Sequence, residues 1–169
     1  MSRLDSMIRR LSAQRACLDA IAAMIGALPG PVLEIGLGNG RTYDHLRERM
    51  PDRTIFVFDR VLAAHPDCVP PSEVLFLGEL EETLPRVHRR IGATAALAHA
   101  DLGSGRVDQD LVTAALLTRL LPPLMRPGGL VVSDQKLTDE SFLPEPLPAG
   151  VAPDRYFLYR CRGGAQGSF

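Results

Sequence analysis

The sequence predicts an α/β protein built on a doubly wound, mostly parallel sheet, and three observations carry that expectation. Between residues 31 and 134, short apolar runs alternate with segments of helical spacing. The runs lack the strict polar–apolar alternation of a half-exposed strand, so they read as strands buried on both faces. The first run also passes straight into glycines at every second position, in PVLEIGLGNGRTYDHL (31–46), before the pattern turns helical.

In order, residues 1–28 read as one amphipathic helix. Leu4, Leu11, Leu18 and Ile25 recur every seven positions, with Met7, Ile21 and Leu28 on the neighbouring stripe. Ser2 or Asp5 suits its start, and LPGP at 28–31 ends it. Such a helix packs on its own domain, lies over a site as a lid, or meets a second copy. VLEIG (32–36), TIFVFD (54–59), EVLFLG (73–78), ATAALAHAD (93–101) and GGLVVSD (128–134) are the expected strands. Helices are expected over 40–50, 80–91 and 106–121, with a short helical turn near 60–65. Pro144, Pro146, Pro148 and Pro153 forbid much helix in 136–154. That stretch reads as a loop leading to one last strand at 155–161 and a frayed tail. No linker or repeat divides the chain, so a single domain over 1–169 is expected: an N-terminal helix (1–28), a core (31–135), and a Pro-rich loop with a last strand and tail (136–169).

The 169 residues include 46% hydrophobic and 23% charged side chains and carry a net charge of −1. Near-neutrality argues against a nucleic-acid binder or a polybasic membrane anchor. No apolar run approaches the ~20 residues of a membrane span. The charged N-terminus does not read as a signal peptide. Cys17, Cys68 and Cys161 lack CxxC spacing, so neither a disulfide framework nor a zinc site is indicated, and a cytoplasmic setting is the expectation. The basic stretch RVHRR (86–90) reads as a solvated helix face.

Glycines after a first strand occur where a ligand must touch backbone N–H groups at a helix N-terminus. The dinucleotide fingerprint G-x-G-x-x-G, begun at Gly36, would need glycine at 41, where Arg41 stands. What is present is Glu34-x-Gly36-x-Gly38-x-Gly40, with the acid a natural partner for a cationic or amine-bearing ligand. VLEIGLGNGRTYDHL resembles motif I of class I S-adenosylmethionine-dependent methyltransferases, and further landmarks follow in that family's order. Asp59 ends the second strand in IFVFDR, Glu79 follows the third in FLGEL, and Asp101 follows the fourth in AHADLG. LLPPLMRPGGLVVSD resembles the family's entry to the fifth strand. The resemblance covers roughly residues 31–135. It implies a Rossmann-like methyltransferase fold and S-adenosyl-L-methionine as cofactor. The usual closing helix and two strands have little chain left to form them, so a shortened C-terminal end is expected.

The resemblance also implies roles. Gly36, Leu37, Gly38, Asn39 and Gly40 would let the backbone approach the cofactor. Glu34 would orient the turn or help hold the ammonium group. Arg41 and Thr42, opening the next helix, would meet the cofactor carboxylate. Asp59 would take both ribose hydroxyls and Glu79 would lie near the adenine edge, with Arg60 and Leu80 as walls. Asp101 is the catalytic candidate, as general base or acceptor orienter, or else it caps the 106–121 helix. His99 is a hydrogen-bonded structural histidine or a base. The implied acceptor is a small molecule, and assembly through the N-terminal helix is expected.

Alternatives within methyl transfer are a module that binds the cofactor without catalysis, and a metal-dependent O-methyltransferase in which Asp101, Asp134 and Gln135 hold magnesium. A nicotinamide oxidoreductase has the acid at 59 but the wrong glycine spacing and no Tyr-x-x-x-Lys pair. An aminopropyl transferase would need doubled aspartates that the sequence lacks.

Overall fold

The computed structural model describes residues 2–162. The tail expected to fray lies, from residue 163 onward, outside the described residues. The chain begins with α1 (Arg3–Ile25), started by a capping box in which Ser2 and Asp5 satisfy each other's backbone N–H groups. It continues through β1 (Val32–Ile35), α2 (Arg41–Arg49), β2 (Ile55–Asp59), β3 (Leu75–Leu77), α3 (Leu80–Ile91) and β4 (Ala95–Ala100). Next come α4 (Val107–Leu120), β5 (Met125–Ser133), β6 (Phe142–Glu145) and β7 (Phe157–Cys161). The seven strands form one sheet in the order β3-β2-β1-β4-β5-β7-β6. The first five run parallel, and β7 is antiparallel to both β5 and β6.

Period-two alternation divides the strand side chains between two cores. Leu33, Ile35, Phe56 and Phe58 pack under α3 and α4 with Leu84, Val87, Leu117 and Leu120. Val32, Val57, Leu97 and Val132 face the other way, against Cys17, Leu18 and Ile21 of α1 and Leu46 of α2. α1 is also fixed to α2 through Asp19, whose Oδ1 meets His45 Nε2 at 2.9 Å and Arg49 Nε at 2.7 Å. Only the second half of α1 is packed in this way. Leu18, Ile21 and Ile25 are buried, whereas Leu4, Met7 and Ile8 are 68%, 51% and 53% exposed.

Two expectations need correction. The sheet is not shortened, because β6 and β7 form the closing antiparallel pair, in register from Phe142↔Cys161 to Glu145↔Leu158. What the C-terminal end lacks is a helix between β5 and β6. Pro144 concealed β6, but an edge strand has one row of N–H groups without a ladder partner and tolerates proline there. The helical turn expected at 60–65 is irregular chain, and a short 3₁₀ turn follows at Pro66–Cys68. The arginines of the RVHRR stretch lie on the outer side of α3, while its Val87 is buried in the core. Two of its arginines nevertheless cover aromatic rings, Arg86 over Phe76 at 5.4 Å and Arg90 over Phe56 at 5.1 Å.

Candidate functional site

Strand order reverses between β1 and β4, and in open α/β sheets ligands bind beyond the carboxyl ends of the strands at such a switch point. A crevice of about 220 Å³ lies there. Its walls include the 36–39 turn, Arg41 and Thr42 of α2, Asp59, Asp101 to Gly103, and three residues of α1: Arg10, Leu11 and Gln14. A larger cavity of about 760 Å³ lies at the opposite end of the strands, around Gly30, Pro31, Arg53 and Thr54, away from every residue of the motif.

The three glycines of the turn do different work. All have positive φ: 95° at Gly36, 50° at Gly38 and 89° at Gly40. A Cβ at Gly36 would meet the Asp101 carbonyl oxygen at 2.7 Å, and one at Gly40 would meet Cys68 Cβ at 2.5 Å. Those two positions are bare so that the protein can close on itself. A Cβ at Gly38 would meet nothing within 4 Å, so the bare backbone there faces open space at the crevice. Only at Gly38 does the missing side chain leave room for a ligand.

Glu34 is fully buried behind the turn. The parallel register places it beside His99, on the sheet face that carries α1 and α2. Its Oε2 lies 2.7 Å from His99 Nδ1, and its Oε1 accepts from the Thr42 hydroxyl. Burial alone would drive the imidazole neutral. The Glu34 charge and hydrogen bond, helped by Asp101 and Asp134, outweigh it and hold the His99 pKa above its usual value. Glu34 thus braces the turn from beneath, its oxygens directed to strand β4 and helix α2 instead of the crevice.

Asp59 ends β2 with its carboxylate at the turn. Oδ2 accepts from Gly38 N at 2.8 Å and Oδ1 from Arg60 N at 2.7 Å. Asp101, just past β4, accepts from Gln14 Nε2 at 2.6 Å and has Arg10 at 3.8 Å. It does not cap α4, whose preceding loop is held by Asp110 accepting from Ser104. Asp134, just past β5, accepts from Leu102 N at 3.3 Å and Gly103 N at 2.7 Å, and its carboxyl lies within hydrogen-bonding reach of Asp101. Burial first, and then the charge of Asp101, push Asp134 up to about 6.

Glu34, Gly36, Leu37, Gly38, Asn39, Gly40, Arg41, Thr42, Asp59 and Asp101 therefore gather at one edge of the sheet. Arg60, Glu79 and Leu80 lie at that same edge beyond β2 and β3 but outside the crevice walls. Glu79 is the residue preceding α3, with its carbonyl accepting from Thr83 N. The sequence reading did not single out Gln14, Arg10 or Tyr156. Gln14 carried a faint signal, being a polar residue between Leu11 and Leu18 on an apolar stripe.

A parallel sheet with a crevice at its strand-order reversal, a glycine turn on one side and an acid at the end of the second strand defines a nucleoside-binding protein of the doubly wound class. Residues 1–161 match the family described as S-adenosyl-L-methionine methyltransferase. The chain belongs to that family and is an S-adenosylmethionine-dependent methyltransferase. It is 47% identical to an S-adenosyl-L-methionine methyl transferase from Silicibacter pomeroyi DSS-3, over 96% of this chain and 99% of that one, with a TM-score of 0.90. Two more distant structures share the fold. The antibiotic-resistance methyltransferase Kmr is 14% identical, covering 89% and 93% of the two chains at a TM-score of 0.54. Cofactor-bound Rv0187 from MTB is 15% identical, covering 95% and 91% at 0.52. No curated protein matches the sequence. Family membership closes the nicotinamide reading and that of a module without catalysis. No helix of the described residues is long and apolar enough to cross a membrane.

Proposed function

We propose that this methyltransferase serves a small acceptor, which meets the crevice beside Asp101 while S-adenosylmethionine lies along the Gly36–Gly40 turn and Asp59. One observation carries the proposal. Asp101 is at once the end of β4, a wall of the crevice and the contact point of α1 through Gln14. A polymer would have to displace α1 to reach it, whereas a small molecule would not.

The residues suit the cofactor. Open space in front of Gly38 admits it, and the Asp59 carboxylate, held by three backbone donors, is fixed where a pair of ribose hydroxyls could donate to it. With the Thr42 hydroxyl directed to Glu34, exposed Arg41 at the start of α2 is left to meet the cofactor carboxylate. When bound, the cofactor supplies an activated methyl group on a sulfonium, and the protein orients, desolvates and deprotonates the acceptor. Asp101 carries the last of these tasks.

Titration calorimetry with S-adenosylhomocysteine, alongside transfer of labelled methyl groups to a small-molecule panel, tests this reading. Asp101→Asn should keep product affinity within a few-fold of wild type and lose transfer. Wild-type turnover in that variant would overturn the role of Asp101.

The convergence of Asp101 and Asp134 favours one second reading, metal-dependent O-methyl transfer with Gln135 as a third ligand. Among the described residues no three His, Cys, Asp or Glu side chains gather as a metal site. Turnover unaffected by EDTA would end that reading. The exposed Leu4, Met7 and Ile8 support assembly of two copies through α1, in a cytoplasmic setting. A monomer mass by light scattering at micromolar concentration would refute the assembly.

A further inference from the structure

Asp101 and Asp134 follow neighbouring parallel strands, so the sheet itself holds their carboxyl groups together. Two carboxylates at that distance, away from bulk water, oppose each other's ionisation. The donors around them are mostly neutral: the Gln14 amide and the N–H groups of Leu102 and Gly103. Arg10, 3.8 Å from Asp101 and half exposed on α1, and the buried His99 imidazole, which feels both acids but is already paired with Glu34, offset only part of their charge.

A second observation is independent of the acid pair. Tyr156, on the loop entering β7, is 1% exposed, and its hydroxyl has no hydrogen-bond partner among the described residues. Tyr156 precedes Phe157, the ladder partner of Ser133, so it stands across from Asp134 on the side of the sheet that carries α1. Burial, with the two acids, keeps its phenol protonated. A buried hydroxyl left without a partner is costly, because it gives up its bonds to water and gains none. Its position beside two under-compensated carboxyl groups points to a polar ligand that completes all three.

We infer that the ligand is an amine: the methyl acceptor enters as an ammonium ion between Asp101 and Asp134, with the Tyr156 hydroxyl as a further hydrogen-bond partner, and is methylated on nitrogen. This rests on the reading that the acceptor lies beside Asp101. A carboxylate acceptor would add a third negative charge, and a neutral alcohol would leave the pair as it is. An ammonium group brings both the missing charge and several N–H donors.

The step balances. The ammonium gives one proton to the carboxyl pair and on to water, leaving a nitrogen lone pair. That lone pair forms the N–C bond to the methyl carbon while the C–S bond breaks and its electrons stay on sulfur. The sulfonium becomes a neutral thioether, and the methylated nitrogen carries the positive charge.

The test uses the full chain saturated with S-adenosylhomocysteine and follows melting temperature on adding matched probes: benzylamine, benzyl alcohol and benzoate, then the hexyl series with the same three head groups, and magnesium chloride alone. Both amines should raise the melting temperature and the other probes should not. With S-adenosylmethionine, the amines should be methylated on nitrogen, and Asp134→Asn should lower kcat/KM for them at least tenfold while product affinity by calorimetry stays unchanged. Alcohols or benzoate matching the amines, amines without effect, or stabilisation by magnesium alone would overturn the inference. Failure of S-adenosylhomocysteine itself to bind would instead strike the placement of the cofactor.

Discussion

Replacing Asp134 by asparagine should flatten the pH dependence of stability. In the folded chain this carboxyl titrates near 6 instead of 3.8, chiefly because it is buried and then because Asp101 is charged beside it. A carboxyl with a raised folded-state pKa binds its proton more tightly when folded. Its stabilising contribution is complete below the unfolded pKa near 3.8 and is lost as the pH climbs through about 6. A rise of about two units, at about 1.36 kcal/mol each, sets an upper bound of about 3 kcal/mol. Because the two carboxyl groups interact at close range, about 1–2 kcal/mol is the working expectation. Asparagine does not titrate there, yet it keeps a carbonyl oxygen for Gly103 N. The unfolding free energy of wild type minus that of the variant should therefore fall by about 1–2 kcal/mol between pH 4 and pH 7. Urea denaturation of both proteins at pH 4, 5, 6 and 7 measures it, and background titrations cancel in the difference. Curves that stay parallel across the range would refute the coupling of these two acids.

Other substitutions separate ligand contact from framework. Gly38→Val should abolish S-adenosylhomocysteine binding in calorimetry while lowering stability by only about 2 kcal/mol, the cost of a side chain at positive φ. Gly40→Ala, which also drives a Cβ into Cys68, should cost about 3 kcal/mol in denaturant unfolding. Asp59→Ala should weaken product affinity by about 2–3 kcal/mol, roughly two charge-assisted hydrogen bonds, seen as a rise in Kd of about 30- to 150-fold. His99→Leu strands the buried Glu34 carboxylate and should destabilise by about 3–5 kcal/mol, with Glu34→Leu in the same chain recovering most of it. A double mutant no more stable than His99→Leu would show that packing, and not the ion pair, sets the loss.

The parallel core was legible because four of its five strands are largely buried on both faces and all are punctuated by helices, a pattern that survives without tertiary information. β6 was not, since Pro144 reads as a breaker until the strand is known to lie at an edge. The turn glycines were legible as a group, but their division of labour was not. Gly36 is bare because of the Asp101 carbonyl and Gly40 because of Cys68, and neither neighbour is local in sequence. Asp59 and Asp101 could be found because strand ends are predictable places. Gln14 and Tyr156 could not, because α1 and β7 join the site from the two ends of the chain, and only the fold brings them together.

Four of the acids at the sheet edge lie at, near or just past the ends of β1, β2, β4 and β5, and their partners differ in kind. Glu34 has a buried imidazole and a hydroxyl, so its charge is settled inside the protein and its task is to fix the turn. Asp59 has three backbone donors that hold it in place, so it is a fixed acceptor. Asp101 and Asp134 have each other, a few neutral donors, one half-exposed guanidinium and a share of the His99 charge that Glu34 already claims, which leaves their charge under-compensated. Since the fold could have met the first two acids' solutions at every strand end, the uncompensated pair marks where positive charge must arrive from outside. The cofactor brings one positive charge on its sulfonium, and transfer moves that charge to the methylated product. A pair of acids on the acceptor side favours the state in which the charge has moved toward them, so the electrostatics that would bind an ammonium also favour the transition state that makes one.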